Sequence, residues 1–269
     1  MLPDSHTFLY GEYRLSYEEY GSGSEVLVWL HGLLLDANLS RGLARALAGR
    51  GNRVVLLDLL GHGQSDKPRH AAQHRMDLYA RQVIALLDEL EITRAVIGGV
   101  SLGADVSLEV AVLAPDRVQG LILQMPVLEW AVPAAASLFV PMLLAAHYAR
   151  PLMRAVAAVA RRVPRTPVEA VNSLVHAASM DPDEIAAVLH GILLGPIAPT
   201  VEERRAIEVP ALILGHRADL IHPFSDAANL AEQLPNARLI TERSIAEFWL
   251  RPARLTGEFG EFLADAWRM

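Results

Sequence analysis

Gly99-Val100-Ser101-Leu102-Gly103 lies between an apolar run, Arg94-Ala95-Val96-Ile97, and a helix-like run from Ala104 to Ala114. A Gly-x-Ser-x-Gly pentapeptide between a strand and a helix is the signature of a nucleophile elbow. The two glycines remove β-carbons where the backbone doubles back, so the serine hydroxyl stands exposed on a strained turn. The helix that follows points its free N–H groups toward whatever the serine attacks. The pentapeptide therefore predicts a serine nucleophile at Ser101.

Outward from this turn the chain alternates between strand-like and helix-like runs. Phe8 to Tyr20 alternates as a hairpin with Gly11 at its turn. Glu25 to Leu30 reads as a buried strand running into His31-Gly32, and Leu39 to Arg50 as a helix ended by Gly51. Arg53 to Asp58 is the next strand, and Asp77 to Leu90 has helical spacing. After the elbow comes a strand at Val118 to Gln124. The alternation resumes with a strand at Ala211 to Leu214, a helix at Ser225 to Leu234, a strand at Ala237 to Ile240 and a helix at Pro252 to Trp267. Strands separated by helices imply an α/β fold, a mostly parallel sheet covered on both faces.

Between Val127 and Thr200 the alternation stops and the chain is Ala/Leu-rich and helical. An insertion there lies over the strand ends, where ligands bind in such sheets. One domain is expected, with a core formed by residues 1–126 and 201–269 and a helical cap formed by residues 127–200. From Trp130 to Ala149 no Asp, Glu, Lys or Arg occurs, about the length a bilayer span requires. Pro133, Pro141 and His147 interrupt the stretch and favour an apolar lid, with contact between the cap and a membrane surface as a secondary reading. Met125, Trp130, Phe139 and Met142 are the candidate substrate-facing residues, since ligand pockets are mostly apolar with few polar groups.

The 269 residues are 52% hydrophobic and 20% charged, which suits a packed globule rather than disorder. The net charge of −7 argues against nucleic acid as a partner. With no cysteine, a disulfide scaffold, thiol catalysis and Cys-ligated metal are excluded. No His/Asp/Glu cluster has metal-ligand spacing and no Gly-rich loop matches a nucleotide fingerprint, so no cofactor is expected. Met1 to His6 lacks the basic and apolar regions of a signal peptide, and the cytoplasm is the expected compartment.

Three segments join the elbow. His31-Gly32-Leu33 ends a strand, where a backbone N–H can donate to an oxyanion. Asp58 to Pro68 is a Gly-rich loop following a strand. Gly215 to Pro223 places Asp219 and His222 just after a late strand. In this order they resemble the α/β-hydrolase fold, in its capped lipase/esterase and peroxidase-like branch, over nearly the whole chain apart from the cap. The resemblance implies Ser101 as nucleophile, the N–H groups of Leu33 and Leu102 as the oxyanion hole, and Asp219 as the triad acid. The serine at the elbow sets the chain apart from the dehalogenases and epoxide hydrolases of this fold, which carry aspartate there. It implies an esterase acting on small to medium hydrophobic esters through an acyl-enzyme.

The family places its triad His after the last strand, some seven residues ahead of the proline that opens the final helix. Counting back from Pro252 puts Ile245 there. Three readings follow. His222, three residues after Asp219, is a displaced base. Glu247 is a carboxylate base, with its pKa raised by burial. Or the scaffold is catalytically weak or inactive and binds an apolar small molecule under its cap. His31 and His62 read as structural partners beneath the loops, and Glu242 and Glu247 otherwise as surface groups or ion-pairing groups for Arg243 or Arg251.

Overall fold

The computed structural model describes residues 4–244, 247 and 253–268. Eight strands form one sheet: β1 (Asp4–Tyr10), β2 (Tyr13–Tyr20), β3 (Val26–Leu30), β4 (Arg53–Asp58), β5 (Ala95–Val100), β6 (Val118–Gln124), β7 (Ala211–Gly215) and β8 (Ala237–Thr241). Their order is β1-β2-β4-β3-β5-β6-β7-β8. β1 and β2 form an antiparallel hairpin turning at Gly11 (φ 61°), and β2 pairs antiparallel with β4. From β4 onward every pairing is parallel. The sheet is α/β and mostly parallel, as the alternation of runs predicts.

The period-two alternation of a strand sends neighbouring side chains to opposite faces. In β3, Val26, Val28 and Leu30 join one apolar core, while Leu27 and Trp29 join the other. The first core is closed by α2 (Met76–Glu89), α3 (Leu102–Leu113) and α9 (Phe224–Gln233). The second is closed by α1 (Arg41–Ala48) and by the last helix, α10 (Ala253–Ala266). Both faces being covered explains why β3 to β7 read as continuous apolar runs rather than alternating ones.

Between β6 and β7 the chain forms helices only: α4 (Val132–Tyr148), α5 (Arg150–Ala160), α6 (Glu169–Ala178), α7 (Pro182–Leu193) and the short α8 (Val201–Arg205). α7 and α8 each begin with a capping box, Asp181 with Glu184 and Thr200 with Glu203. α4 packs on α7 through a small apolar cluster that includes Ala146, Val188 and Leu189.

Two buried carboxylates tie this insertion to the sheet. Asp226 of α9 accepts the backbone N–H groups of Leu128 (2.9 Å), Trp130 (3.1 Å) and Ala131 (2.9 Å). Asp105 of α3 accepts that of Val127 at 3.0 Å. These bonds satisfy the donors of a non-helical segment that leaves the end of β6 inside the protein.

Candidate active site

The elbow is built as its sequence requires. Ser101 follows β5, precedes α3, and has φ 54° and ψ −117°. That left-handed conformation is costly for a residue with a β-carbon and is held by the surrounding packing. The flanking glycines permit a close approach of β3, β5 and α3. A β-carbon at Gly99 would lie 2.6 Å from the Gly103 carbonyl carbon, and one at Gly103 would lie 2.4 Å from the Leu30 oxygen. The Ser101 N–H donates to the Gln124 carbonyl at 2.9 Å, which ties the turn to the end of β6.

The loop after β7 completes the arrangement. His222 Nε2 lies 3.0 Å from Ser101 Oγ, and its Nδ1 lies 2.9 Å from Asp219 Oδ2. The other Asp219 oxygen accepts the N–H groups of Ile221 (2.8 Å) and His222 (3.0 Å). One carboxylate thus folds the loop and aims the ring. With Nδ1–H donated to Asp219, Nε2 carries the lone pair that accepts the serine proton. Burial alone would push the Asp219 carboxyl up, but the bonds from the His222 ring and backbone outweigh it and hold the pKa at about 2. An ionised acid behind an imidazole that faces a serine hydroxyl is the spatial relation of a nucleophile, a base and its orienting group.

Leu33 and Leu102 flank the serine, and both line the cavity above it. Leu102 is the first residue of α3, and first-turn amides have no intrahelical acceptor. Beneath this loop His31 is buried, with Nδ1 2.8 Å from the Gly32 carbonyl and Nε2 accepting the Leu59 N–H at 3.1 Å. His62 is fully buried and packs against the His31 ring, and burial holds its pKa well below the usual histidine range. Both histidines are bound into loop architecture, away from the serine.

The cavity over Ser101 has a volume of about 810 Å³ and opens beneath α4 and α7. Met125 (φ 51°) and Phe139 line it, as the sequence suggests. Two other expectations are corrected. Trp130 is 65% exposed outside the cavity, because the bonds of residues 128–131 to Asp226 set it in the turn before α4. Met142 points instead into the α4–α7 cluster. Aliphatic residues such as Leu143, Ile192 and Ile197 make up most of the wall. Asp105, one turn beyond Ser101, is a buried polar group of this wall, and burial pushes its carboxyl well above the usual range.

The carboxylates after β8 differ from the sequence reading. Glu247 is buried and accepts two hydrogen bonds from Arg254, Nε at 2.7 Å and Nη2 at 2.8 Å, with a third from the Arg243 N–H. The Arg254 guanidinium holds its pKa below the ordinary value, the opposite of what a base at this site needs. Glu242 is also buried rather than ion-paired at the surface. It accepts the Gln124 amide at 2.6 Å, and burial lifts its pKa to about 7. Ile245 and Pro252, on which the count for the absent histidine rests, lie outside the described residues.

Sequence reasoning missed Asp105 and Asp226, and gave Glu242 an ion-pairing role in place of its buried contact with Gln124. A signal existed for the first: Asp105 is the lone charge in the run Leu102 to Leu108. Asp226 and Glu242 sit in ordinary polar surroundings, and only the fold brings them beside the cap entry and Gln124.

The strand order, the elbow and the loop after β7 define an α/β-hydrolase fold. Residues 25–150 match the family model described as alpha/beta hydrolase fold. It is 43% identical over 105 residues to the dihydrolipoyllysine-residue acetyltransferase component of an acetoin cleaving system from Pseudomonas putida, covering 39% of this chain and 28% of that one. It is 39% identical over 117 residues to a 2-hydroxy-6-oxononadienedioate/2-hydroxy-6-oxononatrienedioate hydrolase from Paraburkholderia xenovorans, covering 42% of this chain and 40% of that one. Each match therefore spans less than half of the relative. Among solved structures, the enol-lactonase from Burkholderia xenovorans LB400 superposes with a TM-score of 0.78 over 96% of this chain and 100% of that one, at 22% identity. That likeness is one of fold.

Proposed function

We propose that this chain is a serine hydrolase, a carboxylesterase acting on small to medium hydrophobic esters through an acyl-enzyme on Ser101. One observation carries the reading: the 3.0 Å approach of His222 Nε2 to Ser101 Oγ, with Asp219 behind the ring. In this scheme His222 takes the hydroxyl proton as Oγ attacks the ester carbonyl. The carbonyl oxygen becomes an oxyanion that the Leu33 and Leu102 N–H groups receive. Collapse of the tetrahedral intermediate breaks the bond to the alkoxy group, which leaves with the proton from His222. Water, deprotonated by the same imidazole, then attacks the acyl carbonyl and releases the acid and free Ser101.

The cavity supports the choice of ester. Its volume of about 810 Å³ lies toward the upper end of ligand pockets, which run from about 300 to 1,000 Å³. Its aliphatic wall offers burial to an acyl chain, and Ser101, Asp219 and His222 are among its few polar groups. The matched hydrolase relative agrees with bond cleavage by water in this fold, although its own substrates are dicarboxylates by name.

Hydrolysis of a p-nitrophenyl ester series from acetate to decanoate, with Ser101→Ala as control, tests the reading. The expected result is Ser101-dependent turnover whose kcat/KM peaks at an intermediate chain length. A Leu143→Trp variant, which narrows the cavity, shifts that peak toward acetate. Parent turnover no faster than that of Ser101→Ala across the series overturns the esterase assignment in favour of a binding protein.

A further inference from the structure

The outer surface of the cap is apolar where a water-facing helix would be polar. In α5 the inward positions are Met153, packed on the α4–α7 cluster, and the small Ala157 and Ala160, at 1% and 9% exposure. Leu152, Val156 and Val159 point outward, at 67%, 52% and 63%. These three are spaced by four and three residues and form one stripe along α5, and Val163, just past the end of the helix, is also exposed. A helix packed on a soluble core places its large apolar side chains inward. In α5 only Met153 follows that order, while Leu152, Val156 and Val159 do not. Leu144 and Tyr148 at the end of α4 are exposed as well, as is Leu174 of α6.

The charge around this stripe is one-sided. No Asp or Glu occurs from Trp130 to Val168, although the whole chain carries a net charge of −7. Arg150 and Arg154 are held by Asp183, at 3.1 and 3.0 Å. Arg161, Arg162 and Arg165, at the end of the stripe, are exposed and have no ion-pair partner among the described residues. An exposed apolar stripe beside uncompensated arginines matches a helix that lies in a membrane interface, its apolar side chains among the lipids and its cations on anionic headgroups.

We infer that the outer face of α5, with Arg161, Arg162 and Arg165, docks the protein on an anionic lipid surface. No single helix among the described residues is long and apolar enough to cross a membrane; α4 and α5 reach that length and composition only as a pair bent by 103°, and the proposed docking is on the surface of the bilayer. A second copy is the poorer occupant. Docked face to face, its arginines would meet a stretch from Trp130 to Val168 that offers no carboxylate. The inference is independent of the esterase chemistry, since none of these residues lines the cavity over Ser101.

Co-sedimentation of the whole protein with vesicles tests it. One set is phosphatidylcholine alone and the other a three-to-one mixture of phosphatidylcholine and phosphatidylglycerol. The parent is expected to bind the mixed vesicles in preference to the neutral ones and to be released by salt. A variant carrying Arg161→Gln, Arg162→Gln and Arg165→Gln loses on the order of five-fold in partitioning per arginine. A Val156→Ser, Val159→Ser variant also loses binding. All substituted side chains are solvent-exposed, and unchanged circular dichroism verifies the fold of each variant. Absence of parent binding to mixed vesicles, or equal binding by the parent and the arginine variant, overturns the inference. So does a parent dimer in sedimentation velocity that the valine variant dissociates, which assigns the face to a second copy.

Discussion

Asp219 and His222 are three residues apart on one loop, and the carboxylate of the first accepts the ring Nδ1–H of the second at 2.9 Å. The same carboxylate accepts the His222 N–H at 3.0 Å, so carboxylate and imidazole form one local unit rather than meeting from two distant loops. Asp219→Asn keeps the shape of that unit but removes its charge and the acceptor that fixes the ring tautomer. The expected outcome is a fall in ester kcat of about 10⁴-fold with little change in fold. Steady-state kinetics with circular dichroism as control measures it, and a loss below ten-fold would remove Asp219 from the proposed role.

The elbow makes a stability prediction. A β-carbon at Gly103 would lie 2.4 Å from the Leu30 oxygen, a backbone atom of a central strand that cannot swing aside. Gly103→Ala is therefore expected to destabilise the protein by about 2–4 kcal/mol. Urea denaturation gives the value, and a change within about 0.5 kcal/mol would mean that β3 and α3 are looser than described.

Glu242 makes stability depend on pH. Burial lifts its pKa from an ordinary 4.5 to about 7, so between these values the folded chain holds a proton that the unfolded chain releases. Stability from this group is full below 4.5 and is lost as pH rises through about 7. Glu242→Gln removes the effect. Its stability relative to the parent should improve by up to ~3 kcal/mol between about pH 5 and about pH 8, as urea midpoints read it. A difference that stays constant with pH would place an ionised carboxylate at this position.

Asp226 anchors the entry to the cap through three backbone N–H groups. Asp226→Ala leaves these donors without their charged acceptor, at an expected cost of about 2–4 kcal/mol. Trp130 bears one of the three N–H groups, and its fluorescence reports the local change directly. Unaltered stability and emission would show that the segment is held by packing alone.

Much of this architecture was legible in the sequence because its determinants are local. The Gly99-to-Gly103 pentapeptide announces the turn at Ser101, and the runs on either side of it announce a parallel sheet. The pairing of Asp219 with His222 was within reach for the same reason: a carboxylate and an imidazole three residues apart share one loop. Placement of cap side chains was not. Trp130 and Met142 look equally suited to a pocket, and only the tie of residues 128–131 to Asp226 and the packing of α4 on α7 turn them away. Glu247 is ion-paired as one reading had it, but with Arg254, seven residues on, which becomes its partner only once the start of α10 folds beside it.

The proposed role of His222 as the base for Ser101 is open to direct measurement. The rate at which a fluorophosphonate probe labels Ser101 isolates activation of the serine from later turnover. Rapid labelling of the parent is expected, with a fall of at least about 10³-fold in His222→Ala and a nearly unchanged rate in Glu247→Gln. Labelling of His222→Ala at the parental rate would contradict it, and a collapse confined to Glu247→Gln would transfer the role to that carboxylate.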